Sequence, residues 1–164
     1  MKLKVMKFGG TSVGSVEALG NLRQIVERSD ADTTIVVVSA LSGVTDMLVS
    51  LTERAAGGQD DLDGDIDALL QRHHYVASAV VRPEMTQQCH NVINRFFGDL
   101  LPHHLANLLT NAASGAFTDA MRREIGDAVL SLGEVVSSAI VTAMRIGRML
   151  SPPNQGNQEF APRA

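Results

Sequence analysis

Lys7-Phe8-Gly9-Gly10-Thr11-Ser12-Val13-Gly14 is the stretch of this sequence best suited to chemistry. Glycines let a backbone approach a bulky ligand closely. Successive amides ahead of a helix form a seat for phosphate oxygens. Lys7 adds a full positive charge, and Thr11 and Ser12 add hydroxyl donors. Two common phosphate patterns do not fit. The Walker pattern needs Lys-Ser/Thr after its second glycine, but Gly14 is followed by Ser15-Val16. The dinucleotide pattern needs a glycine two residues after its first, where Thr11 stands. A purely structural glycine turn beside a surface lysine fits the same residues.

Ser39 and Thr45 flank a second loop, Ala40-Leu41-Ser42-Gly43-Val44. Hydroxyls there can face a ligand, or cap a helix and close a turn. Glu134 also has two readings. Ser131-x-x-Glu134 has the form of a capping box, and a carboxylate can equally bind the ammonium group of an amino-acid substrate. The histidines, His73-His74, His90 and His103-His104, lack the spacing of a helical zinc pair. They are expected to be solvent-facing or satisfied structural residues, and no metal site is assigned. Asp60, Asp61, Asp63, Asp65 and Asp67 resemble a calcium loop only superficially. Counted from Asp61, glycine comes too early, at Gly64, and position 12 is Arg72 rather than glutamate. A solvated acidic helix start is expected instead. No Gly-x-Ser-x-Gly nucleophile elbow occurs.

The elements that must position these residues can be read from periodicity. Leu3 to Met6 reads as a strand that ends at the first glycines. Val16, Leu19, Leu22, Ile25 and Val26 fall on one helical face, with Ser15 as cap. Thr33 to Ser39 reads as a strand buried on both faces, as in a parallel sheet. Strand, glycine turn, helix and strand make a βαβ unit, in which both strands end on the same sheet edge. A helix should follow Ser42-Gly43 and end near Gly57-Gly58. A helical stretch should run from Ile66 to about Leu109, broken near Pro83 and Pro102, with a loop at Asn111 to Gly115. Two last helices should follow, Asp119 to Leu130 and Val135 to Met149, interrupted at Ser131–Glu134. Residues 151–164 are polar and proline-rich and are expected to form a loose tail.

Composition excludes several classes. The chain has 164 residues, 45% hydrophobic, with a formal charge of −4. It is thus apolar enough to bury a core and lacks the bulk positive charge used to hold nucleic acid or an anionic membrane surface. No signal-peptide stretch stands at the N-terminus, and no apolar run approaches the roughly 20 residues of a membrane span. Cys89 is the single cysteine, so no internal disulfide is possible. A reducing cytoplasm is the expected setting.

Together these pieces resemble a family. Lys7-Phe8-Gly9-Gly10-Thr11-Ser12-Val13 is similar to the opening signature of aspartokinases, in the amino-acid-kinase superfamily. Ile35-Val36-Val37-Val38-Ser39-Ala40 with Gly43-Val44-Thr45 resembles that family's second strand and substrate loop. Arg72-His73-His74 and Asp127-x-Val129-Leu130-Ser131-x-Gly133-Glu134-x-x-Ser137-Ser138 are similar to later landmarks. The match runs from about Lys2 to Gly147, and its start is reminiscent of forms fused to homoserine dehydrogenase.

The resemblance implies an α/β fold: the front part of a three-layer αβα amino-acid-kinase domain, mainly parallel, helix-rich and truncated. Residues 1–150 would form part of the catalytic domain. The implied reaction is phosphorylation of the L-aspartate side-chain carboxylate by ATP with Mg²⁺, giving 4-phospho-L-aspartate. Lys7, Gly9, Gly10, Thr11 and Ser12 would hold the ATP phosphates, with Lys7 catalytic. Ser39, Thr45 and Glu134 would hold aspartate. The full-length form is expected to be a homo-oligomer, with neither nucleic acid nor membrane as partner. The family's nucleoside-binding segment, a substrate-binding arginine and a phosphoryl-site aspartate would lie beyond the matched part. Two other readings remain: a non-catalytic truncated product that binds phosphate or a partner chain, and another superfamily kinase such as acetylglutamate kinase.

Overall fold

The computed structural model describes residues 1–115 and 118–144. Two parallel strands, β1 (Leu3–Phe8) and β2 (Thr33–Val38), pair in register from Leu3↔Thr33 to Phe8↔Val38. Between them lie a single helical turn, α1 (Gly10–Val13), and α2 (Val16–Glu27). The expected βαβ unit is therefore present. The Ala18 amide donates to Ser15 Oγ at 3.1 Å, which makes Ser15 the cap of α2. Leu19, Leu22 and Val26 are buried, but Ile25 turns outward and is half exposed.

Five further helices follow: α3 (Val44–Ala56), α4 (Asp63–Val80), α5 (Pro83–Ile93), α6 (Leu101–Ser114) and α7 (Asp119–Ala143). Pro83 opens α5 as expected, since a first-turn proline lacks only an amide that would be unpaired anyway. Pro102 does not break the chain. A π-helical stretch, Asn94–Leu100, leads directly into α6. The wider turn accommodates a residue with no backbone N–H. The loop expected at Asn111–Gly115 is instead the last turn of α6, closed by Gly115 at φ 67°.

The largest correction concerns α7. It runs 25 residues without a break, so Ser131 and Glu134 lie mid-helix and form no capping box. Ser131 Oγ donates back to the Ala128 carbonyl at 2.7 Å. Thr118 is the cap of α7, accepting from the Met121 amide at 3.2 Å. Gly133 is present for close packing rather than to stop the helix. A Cβ there would lie 3.0 Å from Ala40 Cβ and 3.1 Å from Val44 Cγ1. By length and composition alone α7 could cross a membrane, which the sequence reading missed. Val129, Val136 and Ile140 along it are fully buried, as in the core helix of a globular domain.

The acidic segment opens α4, with Asp63 and Asp65 in its first turn. Arg54 pairs with Asp65 and donates to the Asp61 carbonyl. The core is aliphatic, built on Leu19, Leu22, Leu48, Leu69, Leu105 and Ile140, with Phe97 from the π-helical turn. The expectation that β2 is buried on both faces fails. Met6 and Phe8 point into the core, whereas Val5 and Ile35, paired across the sheet, are 61% and 46% exposed. Leu3 and Val37 share this open face. The polar stretch 151–164 lies outside the described residues.

Candidate functional site

The site begins where the two parallel strands end side by side. The Ser39 amide donates to the Phe8 carbonyl at 3.1 Å, one rung past the paired strands. Both loops therefore leave the same sheet edge together, the place where open α/β sheets gather ligand groups. The first loop is a helical turn. Gly9 precedes α1, and the Ser12 amide donates to the Gly9 carbonyl at 2.9 Å. The amide of Ser12 is thus engaged internally, leaving its hydroxyl. The amides of Gly10 and Thr11 open the turn, where no intrahelical acceptor exists.

Glycine is required where the loops touch. A Cβ on Gly10 would lie 3.2 Å from the Ala40 carbonyl oxygen, and one on Gly14 would lie 2.7 Å from Ser42 Cβ. Gly43 precedes α3 at φ 77°, a backbone conformation that favours glycine. Neither Ser39 nor Thr45 caps α3, which Gly43 precedes without a side-chain cap.

The predicted residues are accessible. Lys7, Thr11, Ser12, Thr45 and Glu134 are exposed, and Gly9, Gly10 and Ser39 are partly so. Among the described residues the side chains of Lys7, Thr11, Ser12, Ser39, Thr45 and Glu134 have no hydrogen-bond or ion-pair partner. Lys7 lies one residue before the end of β1, opposite Val37 and on the face away from Met6 and Phe8. Glu134 follows Gly133, which packs against Ala40 and Val44.

Sequence reading missed the part played by Arg72, which it noted only within Arg72-His73-His74. Its Nη2 donates to the Gly14 carbonyl at 3.3 Å, and its Nη1 is 4.0 Å from where a Gly43 Cβ would stand. The signal available was an arginine one residue before a histidine on the core face of α4.

That histidine, His73, is fully buried. Its Nδ1 donates to the Leu69 carbonyl at 2.7 Å, and its ring packs on Phe97 at 4.7 Å between centroids. Nε2 has no partner, so His73 is not fully satisfied as expected. Burial, aided by nearby Arg72 and His74, pulls its pKa down to about 4. The other histidines meet the expectation better. His74 bonds Asn94 at 2.8 Å, and His90 bonds Ser78 at 3.1 Å. Cys89 is buried and its thiol is pushed up to about 11 by burial. Among the described residues no group of three or more His, Cys, Asp or Glu is placed to hold a metal ion.

A separate concavity lies between α3 and α7. This apolar groove of about 180 Å³ is lined by Val49, Thr52, Ala56, Gly126 and Leu130, with Glu53 and Arg122. It contains none of the loop residues.

Comparison with known proteins adds the family. The model of the "Amino acid kinase family" matches residues 2–149. Lysine-sensitive aspartokinase 3 of Escherichia coli is 31% identical over 144 residues, which are 85% of this chain and 27% of that protein. The chloroplastic bifunctional aspartokinase/homoserine dehydrogenase of Daucus carota is 41% identical over 73 residues, 44% of this chain and 8% of that protein. A crystal structure of E. coli aspartokinase III, in complex with lysine and aspartate, superposes with a TM-score of 0.65 at 26% identity. That match covers 87% of this chain and 28% of the other. The chain thus spans about a quarter or less of the length of these relatives. With the family model matching nearly its whole length, and with aspartokinases as its relatives in sequence and fold, the chain belongs to the amino acid kinase family.

Proposed function

We propose that the chain carries the phosphate-gripping and aspartate-holding loops of an aspartate kinase. The observation that carries this reading is the contact between the two glycine-bounded loops at one strand-end edge, with their polar side chains unengaged. The aspartokinase relatives support the substrate, as does the E. coli structure of similar fold that was solved in complex with aspartate.

In the proposed reaction a side-chain carboxylate oxygen of L-aspartate attacks the γ-phosphorus of ATP. The bond from that phosphorus to the β–γ bridging oxygen breaks, and ADP departs. The carboxylate is already ionised at neutral pH, so no strong general base is needed. Catalysis then rests on alignment and on neutralising charge spread over the transferred phosphoryl oxygens. Lys7 supplies the cation. The amides of Gly9 and Gly10 and the hydroxyls of Thr11 and Ser12 orient the phosphates. Ser39 and Thr45 donate to the aspartate, and Glu134 receives its ammonium group. Mg²⁺ would travel with the triphosphate, whose oxygens are its usual ligands. A cytoplasmic setting and a homo-oligomeric parent protein belong to the same proposal.

One observation favours a second reading, in which the chain binds phosphate without turnover. The open sheet face at Leu3, Val5, Ile35 and Val37 leaves one side of the site's scaffold uncovered.

The test is a chimaera in which residues 2–144 replace the matching segment of E. coli aspartokinase III. It is assayed with L-aspartate, L-glutamate and N-acetylglutamate, trapping acyl phosphate with hydroxylamine. Aspartate is expected to be the preferred acceptor. Near-normal turnover after Lys7→Ala would overturn the role given to Lys7, and preference for N-acetylglutamate would favour the other superfamily kinase.

A further inference from the structure

We propose that Arg72 is a positioning residue that fixes the spacing between the two loops of the site. This rests on the function proposed above and extends it to a residue on α4, outside both loops. The loops meet on one side through Gly10 and Gly14 against Ala40 and Ser42. The Arg72 guanidinium spans the seam, with Nη2 on the Gly14 carbonyl and Nη1 beside Gly43. Gly14 closes the first loop just before α2, and Gly43 opens α3 just before Thr45. One planar group therefore bonds the exit of the phosphate loop and lies beside Gly43, at the end of the aspartate loop.

The chemistry of the group suits this role. A guanidinium presents five N–H donors in a rigid fork, whereas an ammonium is a point charge on a flexible stem. Arg72 is partly buried. Among the described residues no Asp or Glu oxygen lies within 4.0 Å of it, so it is not held in an ion pair that would explain its placement. Phosphoryl transfer needs donor and acceptor held in line, and a misplacement of about 1 Å can cost on the order of 10²-fold in rate. A strut across the seam would hold that geometry without contacting either substrate.

The test compares the wild-type chain with Arg72→Met and Arg72→Lys in two experiments. In ligand-free amide hydrogen exchange, Arg72→Met is expected to speed exchange on the order of tenfold in both 9–14 and 40–45, leaving α5 and α6 unchanged. Arg72→Lys should behave like Arg72→Met, because one ammonium cannot reproduce the fork. Three results would overturn the proposal: loosening of only one loop, faster exchange spread evenly through the chain, or full rescue by lysine. In the second experiment L-aspartate affinity is measured with and without Mg·ADP. The wild type should show coupling between the two ligands, and Arg72→Met should lose about fivefold or more of it. Unchanged coupling in Arg72→Met would also count against the strut. Should the wild type bind neither ligand, the proposed function fails, while the exchange experiment still decides whether Arg72 ties the loops.

Discussion

His73 makes the fold sensitive to acid by an amount the structure lets one work out. The ring is fully buried, Nδ1 donates to the Leu69 carbonyl, and Nε2 is buried with no partner. Burial lowers its pKa from 6.5 to about 4. Between those two values the unfolded chain carries a proton that the folded chain refuses. Unfolding therefore takes up a proton, and stability falls as pH drops from about 6.5 toward 4. Each pH unit across that gap is worth about 1.4 kcal/mol, so the full loss is roughly 3 kcal/mol. That is a large share of the ~5–15 kcal/mol that holds an ordinary domain together. His73→Leu removes both the titration and the unpaired nitrogen. It should leave stability at pH 7.5 within about 1 kcal/mol of wild type. At pH 4.5 it should be more stable than wild type by about 2–3 kcal/mol. Urea unfolding of both proteins at pH 7.5, 5.5 and 4.5 makes the comparison. If the two midpoints fall in parallel on acidification, His73 is not the acid-sensitive group and the reasoning from its burial is refuted.

Other changes probe the site and its scaffold. Lys7→Ala, at an exposed position, should leave the thermal transition unchanged and lower turnover of the chimaera on the order of 10²–10³-fold. Gly133→Ala puts a methyl 3.0 Å from Ala40 Cβ and 3.1 Å from Val44 Cγ1. It should cost about 1–3 kcal/mol by urea unfolding and weaken L-aspartate binding by displacing the loop below Glu134. Ser15→Ala removes the acceptor of the Ala18 amide and should cost about 1 kcal/mol without changing nucleotide affinity.

Much of the scaffold around the candidate site was legible because it depends on local features. The strand ends, the glycine loops and the Ser15 cap are set by residue types a few positions apart, and all appear where expected. What sequence reading missed depends on contacts between distant segments. Ser131 and Glu134 have the local form of a helix start, but packing of Gly133 on α3 and the second loop carries the helix straight through. Pro102 looked like a break because periodicity does not reveal a π-helical turn that absorbs its missing amide. Ile35 and Val37 looked buried because β-branched runs favour strands covered on both faces, yet both stand in the open. Arg72 gave little sign of its role, since the carbonyl it holds is 58 residues away.

In the proposed function the two loops receive a nucleotide's phosphates and an amino acid side by side. Backbone amide shifts of the labelled chain, titrated with Mg·ATP and then with L-aspartate, test this arrangement directly. Mg·ATP should move Lys7 through Ser12, and L-aspartate should move Ser39 through Thr45 together with Glu134. Shifts confined to the α3–α7 groove, or none at either loop, would contradict it.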